Sequence, residues 1–174
     1  MDERILILGS GAIGGTIGAH LTRAGTDVLM VDNVAKHVEI MNRDGLLIEG
    51  PVDTFTTPIY ATTPGKLSGR FERILLCVKG QNTATDVKMI KPHLANDGYV
   101  VSIQNGLNET LIAKMIGENR TIGAFINFGT DYRGPGHILF GARSTIVGEL
   151  DGKITPRLQA LLEKLNIFRA QCYR

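Results

Sequence analysis

An α/β fold built on a doubly wound, mostly parallel sheet is predicted for this chain by three observations. First, residues 4–15 pass from an apolar run into glycines at Gly9, Gly11 and Gly14, and an amphipathic segment then runs to about Arg23. Second, short and almost wholly apolar runs recur at residues 27–32, 73–78 and 99–103, as expected of strands covered on both faces. Third, segments of helical periodicity separate these runs. The alternation of strand and helix from residue 4 to residue 116 argues for parallel strands joined by crossover helices.

The remaining elements follow in order. Ala24-Gly25-Thr26 stops the first helix, with Gly25 placed as a left-handed cap. Residues 33–43 repeat apolar side chains at Val34, Val38, Ile40 and Met41, a second helix ending at Asp44-Gly45. Leu46-Leu47-Ile48-Glu49 and the threonine-rich residues 53–60, separated by Gly50-Pro51, read as a pair of strands or a small hairpin. A polar connection over 62–71 leads to the strand at 73–78, and Lys79-Gly80-Gln81-Asn82 turns the chain into a helix over 83–90 closed by Pro92. The strand at 99–103 ends at Gln104-Asn105-Gly106, a strong turn signal, and a helix from Asn108-Glu109 runs to Ile116 with Gly117 as its stop. Residues 121–128 form a strand that Gly134-Pro135-Gly136 joins to another at 137–140, an antiparallel extension of the sheet. Residues 144–147 add a strand, and Thr155-Pro156 caps a last helix through Leu158, Leu161, Leu162 and Leu165. A final strand is expected over 166–174.

Composition narrows the partners. The 174 residues are 43% hydrophobic and 21% charged, with 21 glycines, which describes one soluble globular domain. A formal charge of +2 gives no reason to expect nucleic acid or an acidic membrane as a partner. No uninterrupted apolar segment is long enough to cross a bilayer, and the short N-terminal apolar run lacks a signal-peptide layout. Cys77, inside an apolar run, and Cys172 give no disulfide framework, so a reducing cytoplasm is the expected setting. The four histidines, His20, His37, His93 and His137, form no metal-ligand pattern, and structural or surface roles are expected for all of them.

The glycine turn carries the first functional expectation. G-x-G-x-x-G following a strand and opening a helix is the dinucleotide fingerprint, in which each glycine has its own task. Gly9 permits the tight turn, Gly11 leaves room for a pyrophosphate, and Gly14 lets helix and strand pack closely. The phosphates would meet free N–H groups and the positive end of the helix dipole. Asp32 ends the next strand eighteen positions after Gly14, close to the spacing of roughly 20 at which an acidic residue receives the ribose hydroxyls. Its charge would repel a 2′-phosphate and favour NAD over NADP, although Lys36 or Arg43 could still reach such a phosphate. Lys79 and Asn105 each follow a buried strand, at the edge where open α/β sheets collect ligands. Lys79 offers a charge to cofactor or substrate, or is a surface lysine. Asn105 could fix a ribose or substrate hydroxyl, or belong to a plain Asn-Gly turn.

Taken together, the pieces resemble the N-terminal domain of the ketopantoate reductase family, the 2-dehydropantoate 2-reductases. They are Ile7-Leu8-Gly9-Ser10-Gly11-Ala12-Ile13-Gly14, Asn42-Arg43-Asp44-Gly45-Leu46-Leu47-Ile48-Glu49-Gly50, Leu76-Cys77-Val78-Lys79 and Gln104-Asn105-Gly106-Leu107-Asn108-Glu109, with Gly134-Pro135-Gly136-His137 and Ile146-Val147-Gly148-Glu149 after them. The resemblance implies a Rossmann-type domain over residues 1–174 and a nicotinamide-dependent reduction of a 2-keto acid, typically ketopantoate to pantoate on the route to coenzyme A. It further implies that Gly9, Ser10, Gly11, Ala12, Ile13 and Gly14 hold the pyrophosphate and that Lys79 and Asn105 contact the cofactor. Asn105 would also meet substrate, and the backbone of Phe128 would lie beside the nicotinamide.

Two departures stand out. Many members prefer NADPH and carry a basic residue where this chain has Asp32-Asn33. The family's general-acid lysine and substrate-binding glutamate belong to a helical C-terminal domain, and this sequence stops at Arg174 before either, so no catalytic residue is assigned within it. The expectation is a polypeptide that binds NAD or NADP and reduces ketopantoate poorly alone. A surface left apolar for the absent domain would favour a homo-oligomer or a partner protein. Two other readings are a dehydrogenase for another 2-hydroxy acid and a non-catalytic dinucleotide-binding module.

Overall fold

Strand Ile5–Leu8 sets the layering, because all four of its residues are buried and alternate between two hydrophobic clusters. The computed structural model describes residues 4–51, 53–141, 145–168 and 170–172. In chain order it comprises β1 (Ile5–Leu8), α1 (Ala12–Arg23), β2 (Val28–Val31), α2 (Ala35–Asp44), β3 (Leu46–Glu49), β4 (Phe55–Thr57), β5 (Tyr60–Thr62) and β6 (Phe71–Leu76). Then come α3 (Thr83–Ile90), β7 (Leu94–Ser102), α4 (Asn108–Ile116), β8 (Thr121–Ile126), β9 (Thr130–Gly134), β10 (His137–Phe140), β11 (Thr145–Glu149), α5 (Pro156–Leu165) and β12 (Ala170–Cys172).

The main sheet runs β12-β11-β8-β7-β6-β1-β2-β5. From β5 to β8 every pairing is parallel, and β11 then pairs antiparallel with β8. The strand order therefore reverses around β1, the switch point at which α/β sheets open a ligand crevice. Ile5 and Ile7 face a cluster with α1, α2 and α5, while Leu6 and Leu8 face one with α3 and α4. The predicted doubly wound sheet with antiparallel strands is what the chain adopts. The predicted stop of α1 is a Schellman turn: Gly25, at φ +86°, donates to Thr22 O, and Thr26 N reaches back to Leu21 O.

Three expectations need correction. The run 53–60 is not one strand: Pro58 has no N–H to give a ladder, so β4 ends at Thr57. The chain restarts as β5 in the other sheet, beside β2. The Gly134-Pro135-Gly136 turn does not join 121–128 to 137–140 either. It closes the separate hairpin β9–β10, which with β3 and β4 forms a second sheet in the order β4-β3-β10-β9. The antiparallel extension of the main sheet is instead β11 against β8. Finally, the expected strand over 166–174 begins as a 3₁₀ turn, Asn166–Phe168, and is extended only over Ala170–Cys172. Ser144, Arg169, Tyr173 and Arg174 of the predicted strands lie outside the described residues.

Helix α1 is sandwiched between the sheets, with every residue from Gly14 to Leu21 buried. Small side chains along it keep it slim enough for both sheets to close on it. At the far end of the main sheet, β11 and α5 are joined by an ion pair. Arg157 Nε donates to Glu149 Oε1 at 2.7 Å and Arg157 Nη2 to Oε2 at 2.5 Å, while Thr155 Oγ1 adds a third donor. Burial alone would raise the Glu149 carboxyl, but these bonds and the guanidinium charge hold it below its ordinary value of 4.5. Arg157→Ala is expected to cost about 3 kcal/mol, the low end for a broken buried pair because Arg157 keeps some exposure. Since the folded pKa is depressed, the pair stabilises above the ordinary glutamate value of 4.5 and is lost as pH falls through the folded one. Urea melts of wild type and variant should thus differ most above that value and converge in stronger acid.

Candidate dinucleotide site

The C-terminal ends of β1, β2, β6 and β7 meet at one edge of the main sheet, and each hands the chain to a turn that carries a predicted site residue. After β1, Gly9 takes φ +88° and donates its N–H to Val31 O at 2.8 Å. A Cβ on Gly14 would lie 1.9 Å from Gly9 O and 2.9 Å from Cys77 Cβ, so α1 rests directly on the turn. A Cβ on Gly11 would meet nothing within 4 Å. Gly11 is also the cap residue of α1, with no side chain to occupy the first N–H groups and no acidic residue in the first turn. Open space therefore lies over Gly11, bordered by the backbone of Ala12, Ile13 and Gly14, and this fits a pyrophosphate. The partly buried Ile13 side chain packs against the core.

Asp32 follows β2 and is only 9% exposed. Its Oδ2 accepts from Ser10 N at 2.9 Å and from Ser10 Oγ at 3.2 Å, while Oδ1 accepts from Val34 N at 2.9 Å. The carboxylate thus ties the glycine turn to the start of α2. Of the two cations that could serve a 2′-phosphate, Lys36 pairs with Glu39 and Arg43 with Asp44.

Lys79 leaves β6, is exposed, and has no carboxylate partner among the described residues. Asn105, after β7, is exposed as well. The two turns are braced by a residue the sequence reading passed over, Gln104. Its Nε2 donates to Val78 O at 2.8 Å and to Thr83 Oγ1 at 3.0 Å, and Thr83 Oγ1 donates to Gly80 O at 2.7 Å. A glutamine two residues past a buried strand end was the available signal, since a polar side chain there must find partners. The half-buried Phe128 ring stacks on Phe168 at 5.4 Å and stands edge-on to Phe140, which commits much of the side chain to packing.

His37 was expected to be structural, but its position is more specific. It is 1% exposed, its Nδ1 accepts from Gly136 N and its Nε2 lies 2.9 Å from Ser10 O. With Nδ1 accepting, the proton sits on Nε2 and is donated to Ser10, which clamps the glycine turn to the β9–β10 turn. The visible signal was its place between Val34 and Met41 on the apolar face of α2. His20 is buried against Phe55, Phe140 and Phe168. His93 bonds Gly69 O, and His137 pairs with Glu49. No group of three His, Cys, Asp or Glu suited to a metal occurs among the described residues. None of their helices is long and apolar enough to cross a membrane.

Beside Asn105 an open groove of about 500 Å³ runs down β8 and β11, with Leu107 84% and Phe125 57% exposed. A wider cleft of about 1090 Å³ lies at the opposite edge, around Glu149 and Arg157. Its central charges are already paired with each other, and it is remote from the glycine turn.

The sequence matches the family described as ketopantoate reductase PanE/ApbA over residues 5–152. The chain belongs to that family. Among its relatives, the 2-dehydropantoate 2-reductase of Archaeoglobus fulgidus is 29% identical over 166 residues, which are 94% of this chain and 53% of that protein. The enzyme of the same name from Pyrococcus abyssi is 35% identical, over 83% of this chain and 47% of its own length. The family member therefore spans about half the length of the curated relatives it matches. The crystal structure of 2-dehydropantoate 2-reductase from Geobacter metallireducens superimposes with a TM-score of 0.87 at 26% identity, covering 97% of this chain and 56% of that one. A ternary structure of D-mandelate dehydrogenase shares the fold, with a TM-score of 0.89 at 21% identity over 98% of this chain and 56% of that one.

Proposed function

We propose that this chain is the dinucleotide-binding half of an NAD-dependent 2-keto acid reductase, converting 2-dehydropantoate to pantoate in pantothenate and coenzyme A biosynthesis. The observation that carries the reading is the uncapped start of α1 beneath open space at Gly11, on the same edge as Lys79 and Asn105. The family relatives' name supplies the substrate. In this reading the backbone of Gly9 to Gly14 binds the pyrophosphate, Asp32 receives a ribose hydroxyl, and Lys79 and Asn105 fix the nicotinamide end, beside the backbone of Phe128. A bound nicotinamide supplies the hydride. Asn105 orients the keto acid, and the exposed Leu107 and Phe125 lie where a second wall of the substrate pocket would have to pack. The developing alkoxide needs a positioned proton donor, which we assign to the part of the family's length that these residues do not span. Cys77, a free thiol, suits the reducing cytoplasm. Asp32-Asn33, where many members carry a basic residue, also favours a second reading, an NAD-dependent dehydrogenase of another 2-hydroxy acid.

Titration of the polypeptide with NADH and NADPH, followed by nicotinamide fluorescence, tests the reading. NADH should bind more tightly by at least about tenfold, the size of one charge-dependent contact. Tighter NADPH binding overturns the cofactor preference, and no binding of either overturns the function. Steady-state assay of the 174-residue polypeptide with ketopantoate should show little turnover. Robust turnover would place the proton donor within it.

A further inference from the structure

The second sheet has no part in a minimal dinucleotide fold, yet one of its strands lies against the proposed ribose corner. Along β9 the side chains alternate. Asp131 and Arg133 point outward and pair with each other. Thr130 and Tyr132 turn inward. Thr130 Oγ1 lies 2.9 Å from Thr16 Oγ1 and 3.3 Å from Ala12 O, in the first turn of α1. Two residues on, the Tyr132 ring stands edge-on to His37, with centroids 5.2 Å apart and an interplanar angle of 84°. His37 in turn holds Ser10 O, and Ser10 N holds Asp32. Tyr132 is thus seated on the clamp that positions Asp32.

Its own exposure is 38%, and among the described residues no partner holds its hydroxyl. Burial, with the Asp32 charge second, raises the phenol above its ordinary value of 10, which places that carboxylate within electrostatic reach. A ring fixed from behind by a buried imidazole, with a free hydroxyl in front, is a stiff contact that loses little entropy on binding. The two described cations on α2, Lys36 and Arg43, already have acidic partners.

We infer that Tyr132 forms the outer wall of the adenosine-ribose corner opposite Asp32, and that it selects a 2′-hydroxyl over a 2′-phosphate by filling the space a phosphate would need. Selection then combines attraction for the hydroxyl with a steric and charged barrier to the phosphate. The inference rests on the dinucleotide reading above.

The test compares dissociation constants for NADH and NADPH in wild type, Tyr132→Ala, Tyr132→Phe and Tyr60→Ala, the last a 70% exposed tyrosine on β5. Tyr132→Ala should shrink the preference for NADH about tenfold, through weaker NADH and stronger NADPH binding. Tyr132→Phe keeps the wall and should lose only the hydroxyl's share, about threefold in NADH affinity. Tyr60→Ala should change neither constant. Tyr132→Leu retains apolar packing on His37 and serves the same comparison should the alanine variant melt early. A wild-type ratio in a folded Tyr132→Ala or Tyr132→Leu protein overturns the inference and leaves the dinucleotide reading standing. Wild type that binds neither cofactor overturns both, and wild type that prefers NADPH overturns the selection by Tyr132.

Discussion

Gly14→Ala is expected to abolish dinucleotide binding and to destabilise the chain by about 3 kcal/mol or more, at the upper end for overpacking. The new Cβ would sit 1.9 Å from Gly9 O and 2.9 Å from Cys77 Cβ. Neither neighbour can yield: one is backbone held by the Gly9–Val31 hydrogen bond, the other the base of a side chain following a central strand. Relief requires α1 to lift off the sheet, and α1 is packed on its other side by the second sheet. Gly11→Ala makes the informative contrast. Its Cβ would meet nothing within 4 Å, so the melting temperature should move far less than in Gly14→Ala. Yet that methyl would occupy the space proposed for the pyrophosphate, and NADH affinity should fall by about tenfold or more, the loss of one charge-assisted hydrogen bond. Thermal melts and NADH titrations on both variants separate the two jobs. Wild-type NADH affinity in Gly11→Ala would move the pyrophosphate away from this turn.

That contrast also marks what the sequence could and could not show. The glycine spacing was legible because each glycine answers to a local constraint, a turn or a helix start. For the same reason the cap at Gly25 and the Thr155 start of α5, whose hydroxyl accepts from Leu158 N, agree with expectation. The alternation of β1 between two clusters was readable only as a continuous apolar run, since both faces are covered. The second sheet was not legible. It pairs β3 with β10 across some ninety residues of sequence, and period-two patterning cannot name a partner at that distance. Missing that sheet hid its consequences at the site. His37 looked isolated because its partner, Gly136 N, is ninety-nine residues away, and Tyr132 fell between a predicted strand and a predicted turn. Gln104 was passed over in favour of Asn105 for a similar reason: the bonds that distinguish a brace from a turn residue reach Val78 and Thr83.

Asp32→Ala should weaken NADH binding by about a hundredfold and lower stability by roughly 1–3 kcal/mol, the cost of leaving a buried donor unpaired. Ser10 is fully buried, so its N–H loses the only acceptor the fold offers it among the described residues. The glycine turn would loosen together with the start of α2. The geometry also limits what Asp32 can do for a cofactor. A carboxylate has about four lone-pair sites, and Ser10 N, Ser10 Oγ and Val34 N take three of them. One site is left, enough for a single ribose hydroxyl rather than the pair that the fingerprint suggests. The two roles separate cleanly by cofactor. If Asp32 serves only as the lock on the turn, Asp32→Ala weakens NADH and NADPH by the same factor. If it also accepts a ribose hydroxyl and repels a 2′-phosphate, NADH loses more than NADPH and the preference narrows. Asp32→Asn sharpens the distinction, since its amide can accept on one side only and must turn an NH₂ toward Ser10 or Val34. It should therefore keep part of the ribose contact while losing both the charge and one strut of the lock, which places its NADH affinity between those of wild type and Asp32→Ala.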